Sequence, residues 1–363
     1  MVIDNFVKER NMMKKVFILL VFAYLLISCE NQETIFPDFE GGTTGYFPYQ
    51  FPVRTLTLGN DILYDNSNDN NHLFVVSVAM GGVYHNKTER IFNFVIDETL
   101  CDNAYFDDGS PIKVLPSQYY TLSNSNQIVI PSGDARGGIT VQLTEAFFND
   151  PQAIKNSYVL PLRITSTTNI DSVLQGKAST LNADRRIAGD WETVPKDFTM
   201  FGVKFVNPYH GTYLMRGKAS VNENGVKVSD STYQSTSGYI EHDAELKMTT
   251  EGRTRVKVQS TSFKAKSMTG LFELVLNFAS DKYDTQGGVA CTVEAPEGAS
   301  YTVSGSGKYS LGAAEFGGKK RDLIELTYTI NQDNKEYSAV DRYVFRDKGI
   351  GLETFIPTII PED

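Results

Sequence analysis

Tyr158-Val159-Leu160-Pro161-Leu162-Arg163-Ile164 places Tyr158, Leu160, Leu162 and Ile164 at every second position. A period of two is the signature of an extended strand with one buried face, because successive side chains point to opposite sides of the pleat. The pattern recurs on both sides of this stretch. Ile139, Val141 and Leu143 alternate with Thr140, Gln142 and Thr144, and Phe92, Phe94 and Ile96 alternate with Asn93 and Val95. Leu73 to Met80 is almost continuously apolar and reads as a central strand covered on both sides. Gly81-Gly82, Asp107-Asp108-Gly109 and Pro131-Ser132-Gly133 punctuate these runs. Short strands separated by turn signals predict an antiparallel β-sandwich over residues 41–185. One short helix is expected around Glu145 to Lys155, interrupted by Pro151.

The rhythm fades after residue 171. Asp184-Arg185-Arg186 and Asp190-Trp191-Glu192 are polar, so residues 186–204 read as a junction. A second β-rich block follows over 205–363. Leu246 and Met248 alternate with Glu245 and Lys247, then Thr249-Thr250-Glu251-Gly252 turns the chain into Val256 and Val258. Phe272, Leu274, Leu276 and Phe278 form one apolar face, and Ile324, Leu326, Tyr328 and Ile330 form another. The last long strand, Tyr337 to Phe345, ends at Arg346-Asp347-Lys348-Gly349. Such meandering hairpins suggest a β-barrel-like domain, so the fold class is all-β.

The amino terminus carries an address. Lys14 and Lys15 precede an apolar stretch of 12 residues, Val16 to Ile27, which closes as Leu26-Ile27-Ser28-Cys29. A basic start, a short apolar core, a small residue and a cysteine form the pattern of a bacterial lipoprotein signal peptide. The stretch is too short to cross a bilayer, which needs about 20 apolar residues. Residues 1–28 are expected to be removed, with Met13 the more natural initiator, and Cys29 to carry the lipid. Residues 29–40 read as a flexible tether. Glu30 and Glu33 fit outward display on an outer membrane.

Removal of residues 1–28 leaves 30 basic against 42 acidic residues. An acidic chain argues against nucleic acid, which selects a positive surface. Lys319-Lys320-Arg321 is a short basic cluster preceded by Gly317-Gly318 and reads as a solvated hairpin turn. Cys101 and Cys291 lack metal-ligand companions and read as buried thiols. The histidines His72, His85, His210 and His242 show no metal-binding spacing. Asp65-Asn66-Ser67-Asn68-Asp69-Asn70-Asn71 invites calcium, but Asn70 stands where the EF-hand loop needs glycine and Val76 where it needs glutamate. No metal or cofactor is expected, and no nucleophile elbow or phosphate loop occurs.

Two strings resemble known material. The first is Tyr46-Phe47-Pro48 with Val53-Arg54-Thr55-Leu56-Thr57-Leu58-Gly59, joined by Ile128-Val129-Ile130-Pro131-Ser132-Gly133 and Val159-Leu160-Pro161-Leu162-Arg163-Ile164. Together they resemble the domain-of-unknown-function family at the N-terminus of Bacteroidota polysaccharide-utilisation lipoproteins, over roughly residues 40–175. The second comprises Asn207-Pro208-Tyr209-His210-Gly211-Tyr213 and the closing Tyr343-Val344-Phe345-Arg346-Asp347. It is similar to a companion, calycin- or lipocalin-like C-terminal family. The resemblance implies an Ig-like sandwich followed by a barrel-like domain, a place on the cell surface beside an outer-membrane glycan importer, and glycan capture. It supplies no catalytic residues.

Sugar rings stack on aromatic faces while their hydroxyls need polar partners. Candidate glycan contacts are therefore Trp191, Tyr209, Tyr233 and Tyr239, with Glu241, His242 and Asp243 as hydroxyl partners. Trp191 can equally be a wedge between the domains. Two other functions stay open at this point. An adhesin-like protein-binding module predicts an exposed apolar patch or an open sheet edge. A glycoside hydrolase predicts two carboxylates facing each other across a pocket.

Overall fold

The computed structural model describes residues 37–259 and 272–360. Cys29 and most of the expected tether lie outside the described residues. The fold class is as the alternation predicts: a two-sheet sandwich followed by a closed barrel.

The first sheet runs in the order Ser172–Val173, Thr44–Tyr46, Leu73–Gly81, Arg136–Leu143, Tyr120–Leu122. The second runs Glu353–Thr354, Pro52–Thr57, Phe198–Val206, Tyr158–Thr168, Arg90–Ile96, Gln127–Ile130. Phe74, Val76, Ile139 and Val141 meet Leu56, Phe94, Leu160, Leu162 and Phe205 between the sheets. Tyr158–Thr168 is central. Its odd-numbered Val159 is also fully buried, in a smaller cluster with Phe198, Met200 and Phe355 on the sheet's other face. Leu73–Gly81 is covered on only one side along its first half, since Val75 is 48% exposed. That departs from the expectation of a strand buried on both faces. The short helix is present as Glu145–Phe148, followed after a break by a 3-10 turn over Pro151–Ile154.

Two boundaries shift. Phe198–Val206 starts within the expected junction and runs two residues past it, yet is a core strand. It pairs antiparallel with Tyr158–Thr168 and parallel with Pro52–Thr57. Parallel pairing with a partner nearly 150 residues earlier leaves no local signal, and the polar run just before it hides the strand. The tail also leaves the barrel: Glu353–Thr354 pairs with Pro52–Val53, and Thr358–Ile359 with Ala104–Tyr105. The segment beyond Lys348 thus completes the sandwich.

The barrel is an eight-strand cycle: Gly211–Glu223, Ala244–Thr250, Arg255–Gln259, Leu274–Phe278, Val289–Glu294, Thr302–Phe316, Lys319–Gln332 and Lys335–Asp347, the last returning to the first. Val226–Tyr233 pairs with the far half of Gly211–Glu223 through a hairpin whose turn residues, Asn224 and Gly225, have φ of 50° and 78°. Both positive values are what a two-residue turn between twisted strands requires. Leu246, Met248, Val256, Val258, Leu276, Ile324 and Leu326 fill the interior, as expected for eight strands. Gly317-Gly318 turns the longest hairpin, as the sequence predicts, with Lys319 and Lys320 exposed; Arg321, expected to be solvated, is instead buried, its guanidinium 3.9 Å from the Phe316 ring centre.

Polar bridges join the two domains. Buried Asn207 donates to the carbonyls of Gly252 and Arg255 at 2.8 and 2.9 Å. Arg253 reaches Glu145 at 2.5 Å and Asn149 at 3.0 Å on the sandwich while holding Asp281 on the barrel. Among the described residues no helix is long and apolar enough to cross a membrane.

Candidate binding cleft

The segment Phe47-Pro48-Tyr49-Gln50-Phe51-Pro52 leads into the Pro52–Thr57 strand, and its backbone is tied down on both sides of Tyr49. Phe47 N donates to Lys196 O at 2.8 Å, and Met200 N donates to Gln50 O at 2.6 Å. Phe47 is buried and Phe51 packs edge-on against Phe198 and Phe355. Tyr49 between them is 68% exposed. A rigid aromatic held out from an anchored loop loses little entropy when a ligand covers it.

Tyr49 stands over a cleft of about 320 Å³. Pro48, Pro52, Val75, Phe201 and Leu352 supply apolar lining, and Phe201 is itself stacked on buried Phe74 with ring centres 5.4 Å apart. The polar lining is Arg54, Ser77, Arg136, Thr199, Glu353 and Thr354. A second cleft of about 340 Å³ shares Pro48, Tyr49, Pro52 and Thr354 and continues toward Arg185, Val194 and Ile356. An apolar body with a few convergent polar groups is the usual build of a small-ligand site.

The charges of the first cleft are unevenly matched. Arg54 pairs with buried Asp69 and donates to Thr55 O at 3.0 Å. Burial raises the Asp69 carboxyl above its ordinary range, against the Thr57 amide and Arg54. Glu353 receives Lys204 at 2.6 Å and Asn156 at 3.0 Å. Burial opposes its ionisation, but those two partners together hold it below the usual carboxylate range. Arg136 is exposed and has no ion-pair partner among the described residues. Thr199 is 1% exposed, and its hydroxyl is buried without a hydrogen-bond partner.

The residues expected from sequence lie elsewhere, and only some come together. Trp191 belongs to a two-stranded ribbon, Lys177–Ala178 with Trp191–Thr193, and its indole donates to Asp184 O at 2.7 Å. Tyr209 is corrected to a core residue: it is fully buried, stacked on Phe278 with centres 3.5 Å apart. Tyr233 gives its hydroxyl to buried Asp341. Asp243 is likewise buried, accepting from Arg216 at 2.6 Å and from Ser235 N at 2.7 Å. Tyr239, Glu241 and His242 cluster on an exposed turn, where His242 meets the Ser237 hydroxyl at 2.8 Å. Among the described residues the seven are thus divided between a ribbon, buried or half-buried positions of the barrel and an exposed turn.

The Asp/Asn-rich loop braces the sandwich. Asn66 donates to the carbonyls of Thr57 and Gly59, Asn70 accepts from Gly59 N at 2.8 Å, and Asp69 accepts from Thr57 N at 2.8 Å. Among the described residues no group of three His, Cys, Asp or Glu could hold a metal ion. Arg54 lies in the string that carries the N-terminal resemblance, and Tyr49 falls between that string's two quoted parts. Pro48 next to Tyr49 is the local signal that could have pointed to an exposed ring. Arg136, Thr199 and Leu352 gave no signal, since they reach the cleft from three distant parts of the chain.

Residues 39–171 match a family described as a "-like, N-terminal domain", and residues 208–349 match Domain of unknown function DUF5627. A crystal structure of a structural-genomics protein of unknown function from Bacteroides ovatus is 34% identical, covering 89% of this chain and 100% of its own, with a TM-score of 0.79. The chain belongs to the same family as that Bacteroides ovatus protein, and its barrel matches the DUF5627 domain. Two further structures resemble the DUF5627 chain more remotely. A multidomain protein including DUF1735 from Bacteroides ovatus is 10% identical over 85% of this chain and 96% of its own, at a TM-score of 0.40. An auxiliary nutrient binding protein from Bacteroides thetaiotaomicron is 11% identical over 81% and 90%, at 0.38. At such scores neither bears on what the DUF5627 chain binds. No curated protein matches the chain.

Proposed function

We propose that this protein is a non-enzymatic, lipid-anchored protein of the outer membrane surface that captures carbohydrate for a neighbouring glycan importer. The observation that carries the reading is Tyr49, 68% exposed above a cleft with apolar walls and an unpartnered buried hydroxyl. A sugar offers the matching surfaces: an apolar ring face for Tyr49 and hydroxyls for the polar floor. The adjoining cleft across Tyr49 extends the track to more than one sugar unit. Capture without hydrolysis suits the lining, whose one carboxylate, Glu353, is engaged by Lys204; glycoside hydrolysis works through two. Attachment rests on Leu26-Ile27-Ser28-Cys29.

Affinity electrophoresis and calorimetry against a panel of plant and host glycans test the capture. At least one polymer binds, and Tyr49→Ala weakens it by about tenfold; absence of binding across the panel would falsify the reading. Palmitate labelling that persists in Cys29→Ala would remove the anchor.

A further inference from the structure

We infer that the sugar held in the Tyr49 cleft carries an anionic group, a carboxylate or a sulfate, seated against Arg136 beside Arg54. The inference rests on the capture reading and adds the chemical class of the ligand. Within the cleft, Arg54 is balanced by Asp69 and Glu353 by Lys204, which leaves Arg136 as the uncompensated charge. That charge is positive in a chain whose formal net charge is −10, so the cleft opposes the sign of the whole molecule. Such an inversion draws an acidic ligand to this place on a surface that otherwise repels it.

The residue type matters as well as the sign. A guanidinium offers a flat fork of donors that matches the two oxygens of a carboxylate or sulfate. Here two guanidiniums line one small cleft whose walls are Phe47, Pro52, Val53 and Phe201. Apolar walls lower the effective dielectric and strengthen the contact. The Thr199 hydroxyl is an independent pointer: it is buried and lacks a partner within the protein. A buried polar group without a partner costs stability, so it persists where something else completes it. A ligand group reaching the cleft floor would do so.

Calorimetry on the purified full chain tests this with matched pairs of polymers: polygalacturonate against its methyl ester, and dextran sulfate against dextran. The first pair reports a carboxylate and the second a sulfate. At least one anionic member binds roughly tenfold or more tightly than its neutral counterpart, the scale of one hydrogen bond to a charged group. Arg136→Gln removes that advantage and leaves the melting temperature unchanged. Added salt weakens the anionic member alone. Equal affinity within both pairs, or an advantage that survives Arg136→Gln, overturns the anionic inference while capture stands. An advantage lost in Lys319→Gln/Lys320→Gln instead of Arg136→Gln also overturns it, because the polyanion then sits on the barrel hairpin. No binding of any polymer, with none on the wider panel, overturns capture itself and the inference with it.

Discussion

The Tyr343 hydroxyl donates to Asp341 Oδ2 at 2.8 Å from two residues along the same strand, and both side chains are wholly buried inside the barrel. Tyr328 donates to the same oxygen at 2.8 Å from the neighbouring strand, and Tyr233 reaches the other oxygen. A carboxylate without water needs such donors to be tolerated. Removing one donor, as in Tyr343→Phe, leaves the acceptor short and is expected to cost about 1.5–3 kcal/mol in urea unfolding. Burial raises the Asp341 carboxyl above its ordinary value, against the pull of the three tyrosines. The folded state therefore holds the proton more tightly than the unfolded chain. The contribution is largest below the unfolded value near 3.8 and is lost as pH rises through the folded value. Melting temperatures of wild type and Asp341→Asn should accordingly diverge in favour of wild type on acidification. A gap independent of pH would show that Asp341 does not titrate.

His210 gives the opposite limb. Burial, with help from Lys348 and Lys204, pushes its imidazole down to about 4 from 6.5. Its Nδ1 accepts the Thr250 amide at 3.1 Å, a bond that an unprotonated ring nitrogen makes. Stability from this group is complete above pH 6.5 and is lost as pH falls through 4. Denaturant titrations at pH 7 and pH 4 should show wild type losing on the order of 2–3 kcal/mol more than His210→Asn. Equal losses would refute the neutral, buried state.

Thr199→Val separates stability from binding. The hydroxyl has no partner, so the isosteric swap removes a buried polar group and loses no bond. Stability should hold or rise, by up to about 1 kcal/mol. Glycan affinity should fall if the hydroxyl completes itself with ligand. A destabilised variant would reveal a partner for Thr199 within the protein.

Cys101 and Cys291 are free and buried, and burial pushes both thiols up to about 12. The thiolate is the reactive form. In a Cys29→Ser chain, a thiol reagent at pH 8 should label neither residue until denaturant is added, and a reductant should leave the melting temperature unmoved. Rapid labelling of the native chain would mean that either cluster opens readily.

Much of the fold is legible because strand alternation is local. Tyr158, Leu160 and Leu162 face the sandwich core, and Leu246, Met248, Val256 and Val258 face the barrel core. Phe198–Val206 was not legible as a sandwich strand, since its pairing with Pro52–Thr57 is parallel and remote. The binding residues fared differently from the core. Tyr209 and Tyr233 qualify by residue type, yet aromatic type alone does not separate a core ring from a platform. Tyr209 is shut in against Phe278, whereas Tyr49 is held out between two anchored neighbours.

Composition, alternation and turn chemistry determined an all-β chain of two β-rich blocks, an acidic composition and thiols without metal companions. Each is a property of a residue and its near neighbours, which a period of two or a short motif records directly. The cleft was decided by tertiary structure alone. Tyr49, Thr199 and Arg136 come from three separate stretches, and Leu352 and Glu353 return from beyond the barrel to close it. Contacts among strands so distant in the chain arise from sheet order and from which charges find partners. Arg54 finds Asp69 and Glu353 finds Lys204, and Arg136, drawn into the same cleft by the fold, is left facing solvent with its charge unmatched.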